Sequence, residues 1–424
     1  MPLTVLFVPE SAYGPTNNCV GIGDILRRRG HRVVFAAESS WRGRLAALGF
    51  EEDLVDLAPP APDGEEQDAG QFWKDFIQAN APEYRKSTFE QLETVTRPIW
   101  EALADGARYC EPQLRRIIDR VRPDVIVEDN VITFPALLTA GRPFVRIVSC
   151  NPLEVRGEHV PPVFSGLPSA DRSGWDAFRA EYDRTHRDLW TSFNAWVVDQ
   201  GAPPLPDLDF IHEGDLNLYL YPEIADYTAD RPLGATWHRL DSSVRETDAD
   251  FALPEIPGGG RLIYFSLGSL GSADVSLMRR VIDVLAGTPH RYIVSMGPLH
   301  QEIKLAGNMW GAEFLPQTKI IPLADLVITH GGNNTTTEAL HFGKPMILLP
   351  LFWDQYDNAQ RVAELGYGIR LPTYTFTGGQ LRAAIEHLVG DEDLRTRLAS
   401  VGEQIRDRDG LRKAADLVEH LGHG

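Results

Sequence analysis

The stretch densest in chemistry begins with Ala324–Thr329, a largely apolar, strand-like run that leads directly into His330-Gly331-Gly332-Asn333-Asn334-Thr335-Thr336-Thr337-Glu338. Paired glycines permit a tight turn with close backbone approach, and Asn334 or Thr335 offers an N-cap for the helix that follows. Such a helix points free N–H groups and its positive dipole end beyond the strand, which makes an anion site without a metal. His330, at the strand end beside the helix start, adds a donor for a phosphate oxygen. Other motifs carry less. Gly21-x-Gly23 lies inside a helical pattern rather than at a strand-to-helix turn, so it reads as packing and not as a dinucleotide fingerprint. The pairs Asp207/Asp209, Asp248/Asp250, Asp391/Asp393 and Asp407/Asp409 follow no clear strand end and read as solvated loops and helix surfaces, not as ligands for a divalent metal. Neither a His-Glu-x-x-His helix nor a Gly-x-Ser-x-Gly elbow occurs.

The elements around that turn alternate between strand and helix. Leu3–Val8 is a short apolar run, Val20–Arg29 has helical spacing that Gly30 stops, and Val33–Ala37 is a second buried strand. A helical stretch at Gln113–Val121, a strand at Val125–Val127, a helix near Phe134–Thr139 and a strand at Phe144–Val148 continue the series. This βαβ pattern predicts a parallel sheet with helices on both faces. Residues 222–260 turn acidic and breaker-rich, ending in Pro257-Gly258-Gly259-Gly260, and read as a linker. A second series follows: strands at Arg261–Leu267, Arg291–Ser295, Ile320–Ile321, Leu326–Thr329 and Met346–Leu349, with helices at Met278–Leu285 and Thr335–Phe342. Two doubly wound halves leave a cleft at the carboxyl ends of their strands. Two irregular stretches carry aromatics: Phe72, Trp73, Phe76 and Tyr84 in one, Trp175, Trp190, Phe193 and Trp196 in the other. Either set can line an apolar pocket, and either can simply pack inserted helices.

The net charge of −19 over 424 residues, with only short basic clusters such as Arg27-Arg28-Arg29, excludes a nucleic-acid footprint and disfavours an anionic membrane surface. Cys19, Cys110 and Cys150 are scattered and odd in number, which argues against a disulfide framework or a cysteine zinc site. The apolar start lacks a basic flank, and no stretch approaches the roughly 20 apolar residues that span a bilayer. A soluble, cytoplasmic protein of two or three domains is expected.

The runs Phe314-Leu315-Pro316-Gln317, His330 to Thr335, Glu338, and Pro350-Leu351-Phe352-Trp353-Asp354-Gln355 with Asn358 resemble the family 1 glycosyltransferases of the two-domain GT-B type, which use nucleotide sugars. Plant secondary-metabolite enzymes and bacterial macrolide and antibiotic glycosyltransferases belong to that family. Weaker similarity extends to Arg29-Gly30-His31 and Phe265-Ser266-Leu267-Gly268-Ser269. The resemblance implies a Rossmann-like acceptor domain over residues 1–215, a linker region over 216–260, a nucleotide-sugar domain over 261–405, and a final segment, 406–424, crossing back to the first domain.

It further implies that Phe314 stacks near the base and Gln317 bonds its edge. Ser269, His330, Gly332, Asn334 and Thr335 then hold the diphosphate, Glu338 the ribose hydroxyls, and Asp354 and Gln355 the sugar, with glucose favoured. Phe72, Trp73 and Phe76 are the candidate acceptor wall. The family's usual base, a histidine after the first strand, falls at or near Pro15, which cannot accept a proton, whereas the aspartate that orients it persists as Asp129. Either Asp129 or Glu128 then acts directly, or a histidine reaches in from elsewhere, or the acceptor needs little help.

The expected reaction is metal-independent, inverting transfer of a hexose from a UDP- or dTDP-sugar to a hydroxyl of an apolar natural product. The acceptor classes are a polyketide, macrolide or ansamycin such as a rifamycin, or a phenolic, modified in biosynthesis or as antibiotic inactivation. A nucleotide-sugar epimerase or hydrolase, and a nucleotide-sugar-binding protein without catalysis, are the alternatives.

Overall fold

The computed structural model describes residues 1–59 and 80–424, without the side chains of Ser269 and Leu270. Phe72, Trp73 and Phe76 lie outside the described residues. The first sheet contains β1 (Thr4–Pro9), β2 (Arg32–Phe35), β3 (Glu51–Glu52), β4 (Val125–Asp129), β5 (Phe144–Val148), β6 (Leu216–Tyr219) and β7 (Trp237–Arg239) in the order β3-β2-β1-β4-β5-β6-β7. The second contains β8 (Leu262–Ser266), β9 (Arg291–Ser295), β10 (Met309–Ala312), β11 (Leu326–Thr329), β12 (Met346–Leu348) and β13 (Gly368–Arg370) in the order β10-β9-β8-β11-β12-β13. Every pairing is parallel. Helices on both faces bury these strands, which is why they read as near-continuous apolar runs rather than alternating ones.

The longer helices are α1 (Tyr13–Arg28), α2 (Arg97–Val121), α3 (Trp175–Asp199), α4 (Val275–Ala286), α5 (Asn333–His341), α6 (Gln355–Glu364), α7 (Gly378–Gly390), α8 (Glu392–Asp407) and α9 (Gly410–His423). Helix α1 begins well before the predicted Val20, because Pro15 sits in its first turn, where a missing N–H costs no helix hydrogen bond. Helix α9 crosses back to the first domain. Leu411 packs on Gly21 of α1, and Glu419 pairs with Arg29 and His31 at 2.7 Å each.

Two expectations are corrected. Part of the 216–260 linker region is structural: β6 and β7 extend the first sheet, and the connection proper begins after Arg239. Short strands buried among acidic and proline-rich neighbours leave little compositional trace. Ile320–Ile321 is no strand either; it joins a helical turn, Gln317–Ile320, to a 3-10 turn, Ile321–Leu323.

The halves are latched across the cleft. Asp357 on α6 accepts from the Phe164 N–H at 2.6 Å and the Gly166 N–H at 2.7 Å, and Arg361 donates to the Asp226 carbonyl at 2.7 Å. Asp357→Ala orphans two buried N–H groups and is expected to cost about 1–3 kcal/mol for each. A lowered denaturant midpoint checks this.

Candidate active site

Ligands of open α/β sheets gather where the strand order reverses. In the first sheet that point lies between β1 and β4, where Pro9 and Asp129 are register partners at the carboxyl ends. In the second it lies between β8 and β11, where Ser266 and Thr329 are partners and His330 follows at once. The two reversal points face each other across one cavity of about 610 Å³.

On the second-domain side, Gly331 adopts φ +88°, and a Cβ there would lie 2.9 Å from the Gln355 carbonyl oxygen, so only glycine makes this turn. The N-cap of α5 is Gly332, without a side-chain cap, not the expected Asn334 or Thr335. The first-turn N–H groups are therefore left uncapped by any side chain, at the positive end of the helix and at the wall of the cavity. His330 is wedged in beside them: a Cβ on Gly332 would approach its Nε2 to 2.5 Å and one on Gly268 its Cε1 to 2.7 Å. Burial lowers the His330 pKa to about 4, so at neutral pH the ring is an uncharged hydrogen-bond donor. Gly332→Ala fits the backbone (φ −58°) but strikes the ring; with the diphosphate role expected of His330, it should cut nucleotide-sugar affinity roughly tenfold or more, the loss of one good hydrogen bond, which calorimetry reads.

Freed from capping, Asn334 reaches across the cleft. Its Nδ2 donates to the Gly14 carbonyl at 3.1 Å. Thr335 faces Gln317, whose Nε2 donates to Thr335 Oγ1 at 3.1 Å and to Glu338 Oε2 at 2.5 Å, while its Oε1 accepts from the Tyr264 hydroxyl at 3.1 Å. Glu338, buried and raised in pKa by that burial, also faces Arg245 at 3.4 Å. Phe314 is 49% exposed, its ring 5.5 Å from that of Tyr13 at the wall of the cavity. Asp354 and Gln355 line the cavity too, though each is partly committed: Asp354 Oδ2 accepts from the Asn151 N–H at 2.9 Å, and Gln355 Oε1 from the Leu351 N–H at 3.0 Å. Burial raises the Asp354 pKa to about 7. Ser269 falls in the single turn Gly268–Gly271 after β8.

On the first-domain side the two candidate carboxylates part. They are neighbours on one strand, so their side chains take opposite faces. Asp129 lines the cavity. Glu128 does not; it is buried on the other face beside Arg146, its register partner on β5. That removes Glu128 from the expected base pair. Asp129 is 1% exposed, accepts from the Ser149 hydroxyl at 2.6 Å and the Asn18 amide at 3.4 Å, and is raised by burial to about 7. Pro15 lines the cavity nearby. Among the described lining residues His330 is the sole histidine, so no imidazole replaces the one expected after β1.

Sequence reasoning did not find Glu10, which follows β1, lines the cavity and holds the Ala12 N–H at 2.8 Å, with its pKa raised by burial. Nor did it find Ile99 and Leu103 of α2, which form an apolar wall with Val131, Phe352 and Trp353. Their i, i+4 spacing was the available signal. Trp353 has φ +58°, a strained position for a bulky residue, held by Phe164 at 4.2 Å and Trp100 at 5.1 Å between ring centroids. Trp175, Trp190, Phe193 and Trp196 all lie on α3 and line none of the cavity, so theirs is the packing role. Among the described residues no three His, Cys, Asp or Glu side chains form a metal-ligating cluster, and no helix is long and apolar enough to cross a membrane.

Two Rossmann-like domains facing each other across a cleft, with an uncapped helix start at its wall, define the GT-B fold. Residues 279–409 match the family model for the erythromycin biosynthesis protein CIII-like C-terminal domain. Oleandomycin glycosyltransferase of Streptomyces antibioticus is 24% identical over 99% of this chain and 90% of its own length; NDP-glycosyltransferase YjiC of Bacillus subtilis is 29% identical over 96% and 94%. The solved glycosyltransferase of kitacinnamycin superposes with a TM-score of 0.70 at 23% identity, covering 99% of both chains. The chain is a nucleotide-sugar-dependent glycosyltransferase, similar over nearly its whole length to family 1 enzymes of the antibiotic type.

Proposed function

We propose that the enzyme transfers a hexose, glucose in preference, from a UDP- or dTDP-sugar to a hydroxyl of an apolar natural product, with inversion and without a metal. The observation that carries this reading is the convergence in one cavity of an uncapped helix start, a neutral donor at His330 and a buried carboxylate at Asp129. The nucleoside lies toward Phe314 and Glu338, the diphosphate on the first turn of α5, and the sugar beside Asp354 and Gln355. The apolar wall of Ile99, Leu103, Val131 and Trp353 suits a polyketide, macrolide or ansamycin such as a rifamycin, and similarity to a protein named oleandomycin glycosyltransferase supports a natural-product acceptor. A phenolic fits the same wall.

Asp129 takes the acceptor's hydroxyl proton while that oxygen attacks the anomeric carbon in line. The bond from that carbon to the diphosphate breaks, and the electron pair leaves with the nucleotide. Helix N–H groups and His330 stabilise the departing charge. The two arginines among the described lining residues have protein partners: Arg245 pairs with Asp248 at 2.7 Å and Arg44 donates to the Tyr13 hydroxyl at 2.5 Å. The anion is therefore held chiefly by dipoles and hydrogen bonds, and domain closure supplies the geometry. Proton NMR of the glycosylated product tests the displacement: an α-linked donor should give a β-glycoside, and an α-glycoside would overturn the single-displacement reading.

A further inference from the structure

We propose that Asn18 is a positioning residue that couples the base on one domain to the donor-binding helix on the other, so that Asp129 is held in its working orientation only when the cleft is closed. This rests on the reading of Asp129 as the base. Asn18 lies on α1, 2% exposed, and does not touch the cavity. Its single Nδ2 group stands 3.4 Å from Asp129 Oδ2 and 3.3 Å from Asn334 Oδ1, residues 111 and 316 positions away in sequence. An amide NH2 has two protons and can give one to each. The reverse contact, from Asn334 Nδ2 to the Gly14 carbonyl, pins the first turn of α5 against the first turn of α1. An ideal Cβ on Gly14 would lie 3.7 Å from Asn334 Oδ1, so the two turns meet closely.

The arrangement has a consequence for motion. When the domains part, Asn334 is withdrawn and the Asn18 amide loses the acceptor that fixes its rotation. Asp129 then keeps Ser149 on Oδ1 but loses its constraint on Oδ2. Donor binding, which engages the first turn of α5, thereby also sets the base. The other ionisable groups whose charge acts on Asp129 are Glu154 after β5 and Glu10 after β1, while Asp129 in turn raises Cys19 on α1, Glu128 on its own strand and Cys150 after β5. All are acids, so the Asn18 proton is one of the few favourable interactions its ionised form has.

The test compares Asn18→Ala, Asn334→Ala and Asp129→Asn in the full chain, at saturating nucleotide sugar, over a range of pH. Losing a donor to the ionised carboxylate raises its pKa, so the acid limb of kcat should move to higher pH in both amide variants. In Asn18→Ala, kcat should fall roughly ten- to hundredfold, the worth of one hydrogen bond to a charged group, while donor Kd by calorimetry stays near that of the unsubstituted enzyme. Acid limbs unmoved in both variants, with effects confined to donor Kd or Tm, would overturn the inference. A moved limb in Asn18→Ala alone would overturn the cross-domain coupling. An active Asp129→Asn removes the base and the inference with it; an inactive one beside unmoved limbs leaves the base standing and overturns the coupling alone. Asn334→Ala keeps the test valid if the buried Asn18→Ala fails to fold.

Discussion

Asp129→Asn should lower kcat by about 10²–10⁴-fold, the usual contribution of a general base, with donor Kd little changed. The amide keeps the size of the side chain and the partners at Ser149 and Asn18, so the loss reports proton acceptance rather than collapse. Its pH dependence is specific. Burial raises the Asp129 pKa to about 7, and only the ionised form accepts a proton, so activity of the unsubstituted enzyme should climb through about pH 7 and level off above it. In Asp129→Asn that limb should vanish. Rate profiles from pH 5.5 to 9 check both points (about one and a half to two pH units on either side of the expected limb).

The second large effect belongs to the leaving group. In the proposed mechanism His330 donates to the departing diphosphate, so His330→Ala should lower kcat about 10²–10³-fold. Because burial keeps this imidazole neutral down to about pH 4, it acts through an N–H and not through charge. The ratio of the rates of parent and variant should therefore stay flat across neutral pH, where a protonated histidine would lose its advantage as pH rises. Pre-steady-state measurement of nucleotide release separates this from an effect on product dissociation.

The strand–turn–helix at the cavity wall was legible because its parts are consecutive. A strand, a turn that demands Gly331 and a helix start carry His330, Gly332, Asn334, Thr335 and Glu338 within nine residues, so local rules suffice. The capping residue was misjudged, since Asn334 gives its side chain to the other domain, a long-range contact that no local rule sees. Which of the two candidate carboxylates faces the cavity could not be chosen in sequence because Glu128 and Asp129 are adjacent. Only the pleat and the register with Pro9 and Arg146 decide which one faces the cleft. Asn18 carries an ordinary local signal and gains meaning from partners 111 and 316 positions away, and Glu10 from its place at the cavity wall. The missed strands β3, β6, β7, β10 and β13 are two to four residues long, too short for periodicity to mark.

The most direct measurement is mass spectrometry of the purified protein incubated in EDTA with UDP-glucose and dTDP-glucose and a panel of macrolides, ansamycins, other polyketides and phenols. A hexose adduct on an apolar acceptor, formed at an undiminished rate in the chelator and absent with Asp129→Asn, is the predicted result. Turnover of the donor with no acceptor modified would point to an epimerase or hydrolase, and calorimetric donor binding without turnover to a silent binder. Either would contradict the account.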